Sequence, residues 1–204
     1  MVSYVMDTSN WEDWQRDYRF GLLLILPPEE VSEKIDRLRA KYDPRSHAIC
    51  PPHISISDPL RHEMTPERQD EICGILRSVK PFELHFDKPR ASTERAGVAY
   101  PILPQQPIDN LKCILHTASI FAGEVYQRRG IPAHMTIAEF ISIEESLKIC
   151  DKLQSSAPRG SFLCDRLEFM VPDENFRFQK KDTFFLGSSE DRVSCSSVFS
   201  TKTY

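Results

Sequence analysis

Glycine is scarce in this chain: seven among 204 residues, and none of them clustered. Without a glycine-rich loop to bring backbone amides onto a phosphate, the Walker and dinucleotide-binding classes of nucleotide site are excluded. Long apolar runs are missing too. The longest, Gly21–Leu26, falls far short of the roughly 20 residues that span a bilayer, so no membrane association is expected. The N-terminus carries acids and no basic segment, so no secretory signal is read there and a cytoplasmic location is expected. Cys50, Cys73, Cys113, Cys150, Cys164 and Cys195 stand apart, with no CxxC and no Cys/His pairing at zinc spacing. Free thiols in a reducing compartment follow. A basic surplus is also lacking: 26 Lys and Arg face 30 Asp and Glu, for a net charge of −4. Proteins that coat duplex nucleic acid carry the opposite balance, so any nucleic-acid contact here is confined to a short end or a single phosphate.

What is present is ordinary globular composition, 40% hydrophobic and 27% charged, with a mixed pattern of elements. Residues 1–17 read as a polar leader with a short helix, capped at Ser9 or Asn10, whose Trp11 and Trp14 pack on the domain. A base-stacking role for these indoles would rest on residue type alone. YRFGLLLIL at 18–26 reads as a strand buried on both faces. Pro27-Pro28 ends it, and EEVSEKIDRLRAKY follows as a helix with acids early, bases late, and Val31, Ile35 and Leu38 on its buried face. HISIS at 53–57 alternates like a strand, and residues 65–79 read as a helix capped by Thr65. Strands are expected at 82–86, 97–103, 134–140, 161–171 and 176–187. Helices are expected at 107–127, the latter with Ile108, Leu111, Leu115, Ile120 and Val125 near helical spacing, and at 143–154. Several strands neighbour one another in hairpin fashion, so the fold class is α+β. One domain over 18–187 and a flexible tail over 188–204 complete the organisation.

One pattern rises above this background. Pro51-Pro52-His53-Ile54-Ser55-Ile56 recurs as Pro132-Ala133-His134-Met135-Thr136-Ile137. The shared form is Pro, any residue, His, apolar, Ser or Thr, Ile, each time on an expected strand. Positions i and i+2 of a strand share a face, so His53 with Ser55, and His134 with Thr136, point one way while the apolar residues point into the core. The repeat reads as the trace of an internal duplication: a bilobal, pseudo-twofold fold whose antiparallel sheets line a central cleft, with helices outside. Two imidazoles and two hydroxyls would then converge. A neutral and a protonated imidazole coexist near neutral pH and can take and give a proton, while hydroxyls hold the non-bridging oxygens of a phosphate. Each motif offers one good metal ligand, with no HxxxH and no acidic cluster beside it, so neither metal nor cofactor is expected. His47, His62, His85 and His116 lack such a pattern and are read as structural.

The paired His-x-Ser/Thr motifs resemble those of the 2H (two-histidine) phosphoesterase superfamily, in particular its 2′-5′ RNA ligase-like branch, over about residues 18–187. The resemblance implies a metal-independent phosphodiesterase acting on RNA-type phosphodiesters, either a 2′,3′-cyclic phosphate or a 2′-5′ linkage. His53 and His134 would be the acid–base pair, and Ser55 and Thr136 the phosphate-binding hydroxyls. It further implies His134 as base toward water and His53 as acid toward the leaving oxygen. The implied partner is an RNA end or small nucleotide, met by a monomer. A phosphodiesterase of a small nucleotide, such as a cyclic ADP-ribose phosphate or an oligoadenylate, is the alternative enzyme; a non-catalytic nucleotide-binding module is the alternative of another class. Two departures weigh against ligation. Ala138-Glu139-Phe140 follows the second motif where ligase members often carry a basic residue, and Ser57-Asp58-Pro59-Leu60 follows the first in place of an aromatic-glycine continuation.

Overall fold

The computed structural model describes residues 2–124 and 126–187. In chain order these form α1 (Asp13–Arg16), β1 (Leu22–Ile25), α2 (Glu29–Tyr42), α3 (Pro44–Ile49), β2 (Ile54–Ser55), α4 (Pro66–Leu76), β3 (Phe82–Phe86), β4 (Arg90–Ala91), β5 (Val98–Leu103) and α5 (Gln105–Leu115). A 3-10 turn (Ser119–Phe121), β6 (His134–Ala138), α6 (Ile143–Leu153), β7 (Gly160–Cys164), β8 (Arg166–Pro172) and β9 (Phe178–Phe185) follow. None of these helices is long and apolar enough to cross a membrane.

The strands make two antiparallel sheets. The first runs β2-β1-β8-β9; in the second β3 lies between β7 and β5, and β4 and β6 also pair with β5. Each motif strand is an edge: β2 beside β1, with Ser55 opposite Leu24, and β6 beside β5, with Thr136 opposite Ala99. The order β1-α2-α3-β2 therefore reappears as β5-α5-3-10-β6, which is the duplication expected from the repeat. One continuous apolar core joins the lobes, taking Leu23 and Ile25 from β1, Ile54 and Ile56 around β2, Tyr100 and Ile102 from β5, and Met135 and Ile137 from β6. The α+β class and the antiparallel, two-lobed arrangement are as the motifs indicate.

Several boundaries differ from the sequence reading. The strand expected from residue 18 starts at Leu22, because Gly21 turns the chain: its φ is +83° and its N–H donates to the Tyr18 carbonyl at 2.7 Å. Its two faces are both covered, but only Leu23 and Ile25 meet the main core; Leu22 and Leu24 floor the cleft. The first motif strand is shorter than HISIS. After Ser55 the N–H groups of Ile56 and Ser57 both aim at the Leu23 carbonyl, and the Ser57 hydroxyl accepts the Leu23 N–H at 2.9 Å, so a side chain replaces the ladder. The long helix expected at 107–127 ends at Leu115. There Thr117 Oγ1 donates to the Ile114 carbonyl, and Ser119 donates from both N–H and hydroxyl to the Glu71 carboxylate, competing with the helical ladder. Val125 and the tail 188–204 lie outside the described residues. The apolar stretch 161–171 is two strands, divided at Asp165, where the chain leaves one sheet for the other: β7 pairs with β3, β8 with β1 and β9. The first helix is capped by Glu12 through a reciprocal bond with Gln15, not by Ser9 or Asn10.

Gly21 is a point where backbone geometry tolerates no side chain. A Cβ there would lie 2.2 Å from the Met170 carbonyl oxygen, on a backbone conformation that already disfavours one. Gly21→Ala is expected to lower unfolding free energy by about 2 kcal/mol or more, read as a shift in the urea midpoint; an unchanged midpoint would show that β1 can move away from β8 at no cost.

Candidate active site

His53, Ser55, His134 and Thr136 all line one cleft of about 440 Å³ between the lobes. The apolar residues between them are fully buried behind it: Ile54, Ile56, Met135 and Ile137 each have no exposed surface. The strand alternation read from the sequence thus places all four polar side chains on the cleft face.

The two histidines are held alike. His53 Nδ1 lies 2.8 Å from the Pro51 carbonyl, and His134 Nδ1 lies 2.9 Å from the Pro132 carbonyl. A carbonyl oxygen can only accept, so Nδ1 carries the proton in each ring, and in the neutral form Nε2 is left with its lone pair. The proline two residues ahead of each histidine is thereby explained: its carbonyl selects the tautomer. The rings differ in surroundings. His134 is exposed, whereas His53 is half-buried. Burial pushes the His53 pKa down to about 4, against the upward pull of the Pro51 carbonyl; the nearby Arg39 and Arg128 guanidinium groups and His134 push it in the same direction as burial.

Sequence reasoning missed the groups that hold the cleft together, because none belongs to the repeat. Arg39, on α2, is 1% exposed. Its Nη1 donates to the Thr136 carbonyl at 2.9 Å, and its Nη2 donates to the Ser46 and Cys50 carbonyls at 2.7 and 2.5 Å. Its Nε lies 3.4 Å from the Asp36 carboxylate, an ion-pair contact without hydrogen-bond geometry. One side chain therefore touches the second motif and the residue just before the first. Asp43, also buried, accepts from the Ser46 N–H and from the N–H groups of Glu139 and Phe140, tying α3 to the end of β6. The periodic pattern of α2 signals Arg39 only as a cation on the Ile35 side of the helix.

Arg128 approaches the same cleft from the loop before the second motif. Asp58 holds that loop by accepting from the Gln127 and Arg128 N–H groups at 2.7 and 3.2 Å, and the Arg128 guanidinium donates to the Tyr18 hydroxyl. His116 serves the same loop system structurally, as expected: it bonds the Lys112 carbonyl, accepts from the Asp58 N–H, and stacks on Tyr126 at 3.8 Å. With its three hydrogen bonds to carbonyls, Arg39 is fixed scaffold, while Arg128 is the guanidinium at the cleft surface. Cys50 also lines the cleft, but burial pushes its thiol up to about 12, which removes the thiolate a cysteine nucleophile needs. Among the described residues no three His, Cys, Asp or Glu side chains cluster as a metal site would require.

The leader divides its two indoles. Trp11 is buried, donating to the Glu174 carbonyl and meeting Phe176 edge-on, as the packing reading expects. Trp14 is instead 40% exposed and lines the cleft.

Comparison with known proteins comes from three directions. The family model described as the 2′-5′ RNA ligase superfamily matches residues 27–176. A protein of Oceanobacillus iheyensis that bears the name of a phosphoesterase is 24% identical over 172 residues, covering 83% of this chain and 98% of its own. One of Bacillus cytotoxicus, named in the same way, is 27% identical over 171 residues, covering 81% and 95%. Among solved structures, E. coli LigT complexed with 3′-AMP superposes with a TM-score of 0.53 at 17% identity, covering 82% of this chain and 97% of LigT. A crystal structure of a phosphoesterase gives the same score, identity and coverage. These two structural likenesses concern the fold.

Three measurements test the site as built. In a ¹⁵N-edited NMR titration, both motif histidines should show the Nδ1–H tautomer, and His53 should titrate well below the ordinary imidazole range. Its depressed pKa means that the unfolded chain binds more protons between about 6.5 and 4. Folding stability should therefore fall as pH drops through that window, and the fall should be shallower in His53→Gln; identical slopes would refute the shift. Arg39→Met should destabilise by about 3 kcal/mol, since carbonyls on both sides of the cleft lose their donor at once.

Proposed function

The chain belongs to the 2′-5′ RNA ligase superfamily, and we propose that it is a phosphodiesterase that hydrolyses an RNA-type phosphodiester, a 2′,3′-cyclic phosphate or a 2′-5′ linkage, by histidine acid–base catalysis without a metal. The observation that carries this reading is the matched pair of imidazoles, each with Nδ1 locked on a proline carbonyl, set beside Ser55 and Thr136 in one cleft. The bacterial relatives named as phosphoesterases support its coarser part, the hydrolysis of a phosphoester.

The roles follow from electrostatics. An imidazole held down to about 4 is unprotonated at neutral pH, so His53 is the base and the exposed His134 the acid, the reverse of the division implied by family resemblance. His53 Nε2 takes a proton from water as the water oxygen attacks phosphorus. The bond from phosphorus to one ribose oxygen breaks, and His134 as acid delivers a proton from Nε2 to that oxygen. The product is a phosphomonoester with a free hydroxyl, and the two rings exchange their protonation with solvent before the next cycle. Ser55 and Thr136 donate to the non-bridging oxygens, and Arg128 supplies positive charge beside them. A bound phosphate anion itself draws the His53 pKa upward, so the base strengthens when substrate is in place.

A panel of 2′,3′-cyclic nucleotides and of 2′-5′ and 3′-5′ dinucleotides, with products separated by chromatography, tests the reading; no turnover of any member would end it. Replacing either histidine by alanine should cost about 10²–10⁴-fold in turnover, and Ser55→Ala or Thr136→Ala roughly 10²-fold. The double histidine variant should be little worse than the worse single one. A substrate whose leaving group needs no proton should partly rescue His134→Ala and not His53→Ala; the opposite pattern would restore the other assignment. EDTA should leave turnover intact, and loss on chelation with recovery on zinc or manganese would replace the mechanism.

A further inference from the structure

Beyond the four motif groups, the cleft has an aromatic end. Trp14, Tyr18, Phe140, Phe176 and Phe178 line it, with Trp14 6.1 Å from Phe140 and 5.2 Å from Phe176 between ring centroids. Trp14 and Tyr18 precede the segment that matches the family model, and Phe178 follows it. The wall is built in advance. Trp11 anchors the leader, Glu12 accepts from the Trp14 indole N–H at 2.7 Å and pairs with Arg45, and Arg45 lies over the Phe140 ring at 4.1 Å. Yet Trp14 and Phe140 remain 40% and 37% exposed. Two large rings kept rigid and partly in water at the mouth of a polar site suit a flat aromatic ligand.

The polar group at this end is Glu139. Its N–H is held by Asp43, and its Oε1 accepts from the buried Ser46 hydroxyl at 2.9 Å. No cation lies within ion-pair distance of it among the described residues. A fixed carboxylate can only accept, with lone pairs left on both oxygens. Guanine presents two adjacent donors, N1–H and the 2-amino group, which match a carboxylate. Adenine and cytosine set an amino group next to a ring-nitrogen acceptor, and uracil flanks its N3–H with two carbonyls; each would face Glu139 with at least one repelling lone pair.

We propose that the aromatic end is a guanine-selective base site, in which Trp14 and Phe140 stack the ring and Glu139 reads its N1–H and 2-amino edge. This rests on the phosphodiesterase reading for the placement of the phosphate, and it makes the preferred substrate an ester carrying guanosine. The position after the second motif then reads a base instead of a phosphate, which accounts for an acid standing there.

The test is binding of 3′-GMP, 3′-AMP, 3′-CMP, 3′-UMP and, as a base-free reference, ribose 5-phosphate, by calorimetry on the full chain. 3′-GMP should bind about tenfold or more tighter than the other nucleotides, from the charge-assisted bonds. Glu139→Gln, which keeps an acceptor for Ser46 but places an amide against a guanine donor, should bring 3′-GMP down to the level of 3′-UMP. Trp14→Ala should lower the affinity of every nucleotide relative to ribose 5-phosphate by roughly tenfold or more. Equal affinity for all four bases, a guanine preference that survives Glu139→Gln, or ribose 5-phosphate binding as tightly as the nucleotides would each overturn the proposal. Because no turnover is needed, a guanine preference in a protein that hydrolyses none of the ester panel would sink the catalytic reading and leave the base site standing.

Discussion

Arg39 satisfies carbonyls on both sides of the cleft from a position with almost no solvent. The two motif strands need such a bridge. Each is a short sheet edge that pairs with its own lobe, β2 with β1 and β6 with β5, so neither ladder sets the distance between the histidines. Burying a guanidinium costs several kcal/mol unless its donors are satisfied, and here fixed carbonyl dipoles, with Asp36 beside Nε, do most of that work. The planar fork of arginine can reach three oxygens in different directions, which a lysine ammonium on a flexible stem would not hold in place. The same charge helps keep the His53 ring unprotonated. Arg39 thus bears on the geometry of the site and, behind burial, on the protonation of His53.

Under the proposed function an acidic protein binds an anion, and it must then concentrate its cations. The net charge of −4 is a property of the whole surface, whereas Arg39 and Arg128 stand within electrostatic reach of His53. Arg128 is placed by Asp58, one of the residues that follow the first motif, so the departure there from the aromatic-glycine pattern has a structural use: its carboxylate organises the loop that precedes the second motif. Local field and overall charge are independent quantities, and only the former bears on a phosphate in the cleft.

The repeat made the duplication, the two motif strands and the four cleft-facing side chains legible, because strand alternation is a short-range rule. Helical periodicity, caps and end charges are local signals too, and they located α2, α4 and α6 within a few residues. Local reading of either kind has one weakness. It failed where a side chain or a distant element overrides local pattern. Gly21 hides a turn inside an apolar run, Ser57 substitutes its hydroxyl for a ladder bond, and Ser119 trades a helical bond for Glu71. The break at Asp165 has no local mark at all, since both halves of 161–171 are good strands and only their partners differ. Arg39 was unreadable for a related reason. A cation in an amphipathic helix looks like a solvated residue until the chain is folded around it.

That break at Asp165 also fixes an order of assembly. Every strand of the second sheet lies between residues 82 and 164, so this lobe is a contiguous stretch of chain. The first sheet is interrupted by it: β1 and β2 come before, while β8 and β9 come after and complete the pairing of β1. On a ribosome releasing the chain from its N-terminus, the second lobe can close while the first still exposes Leu22, Leu23 and Leu24 along an unpaired edge. The buried strand that floors the cleft thus waits for its second neighbour until the whole second lobe has been synthesised, and protection of that apolar edge during translation falls to whatever holds nascent chains in solution.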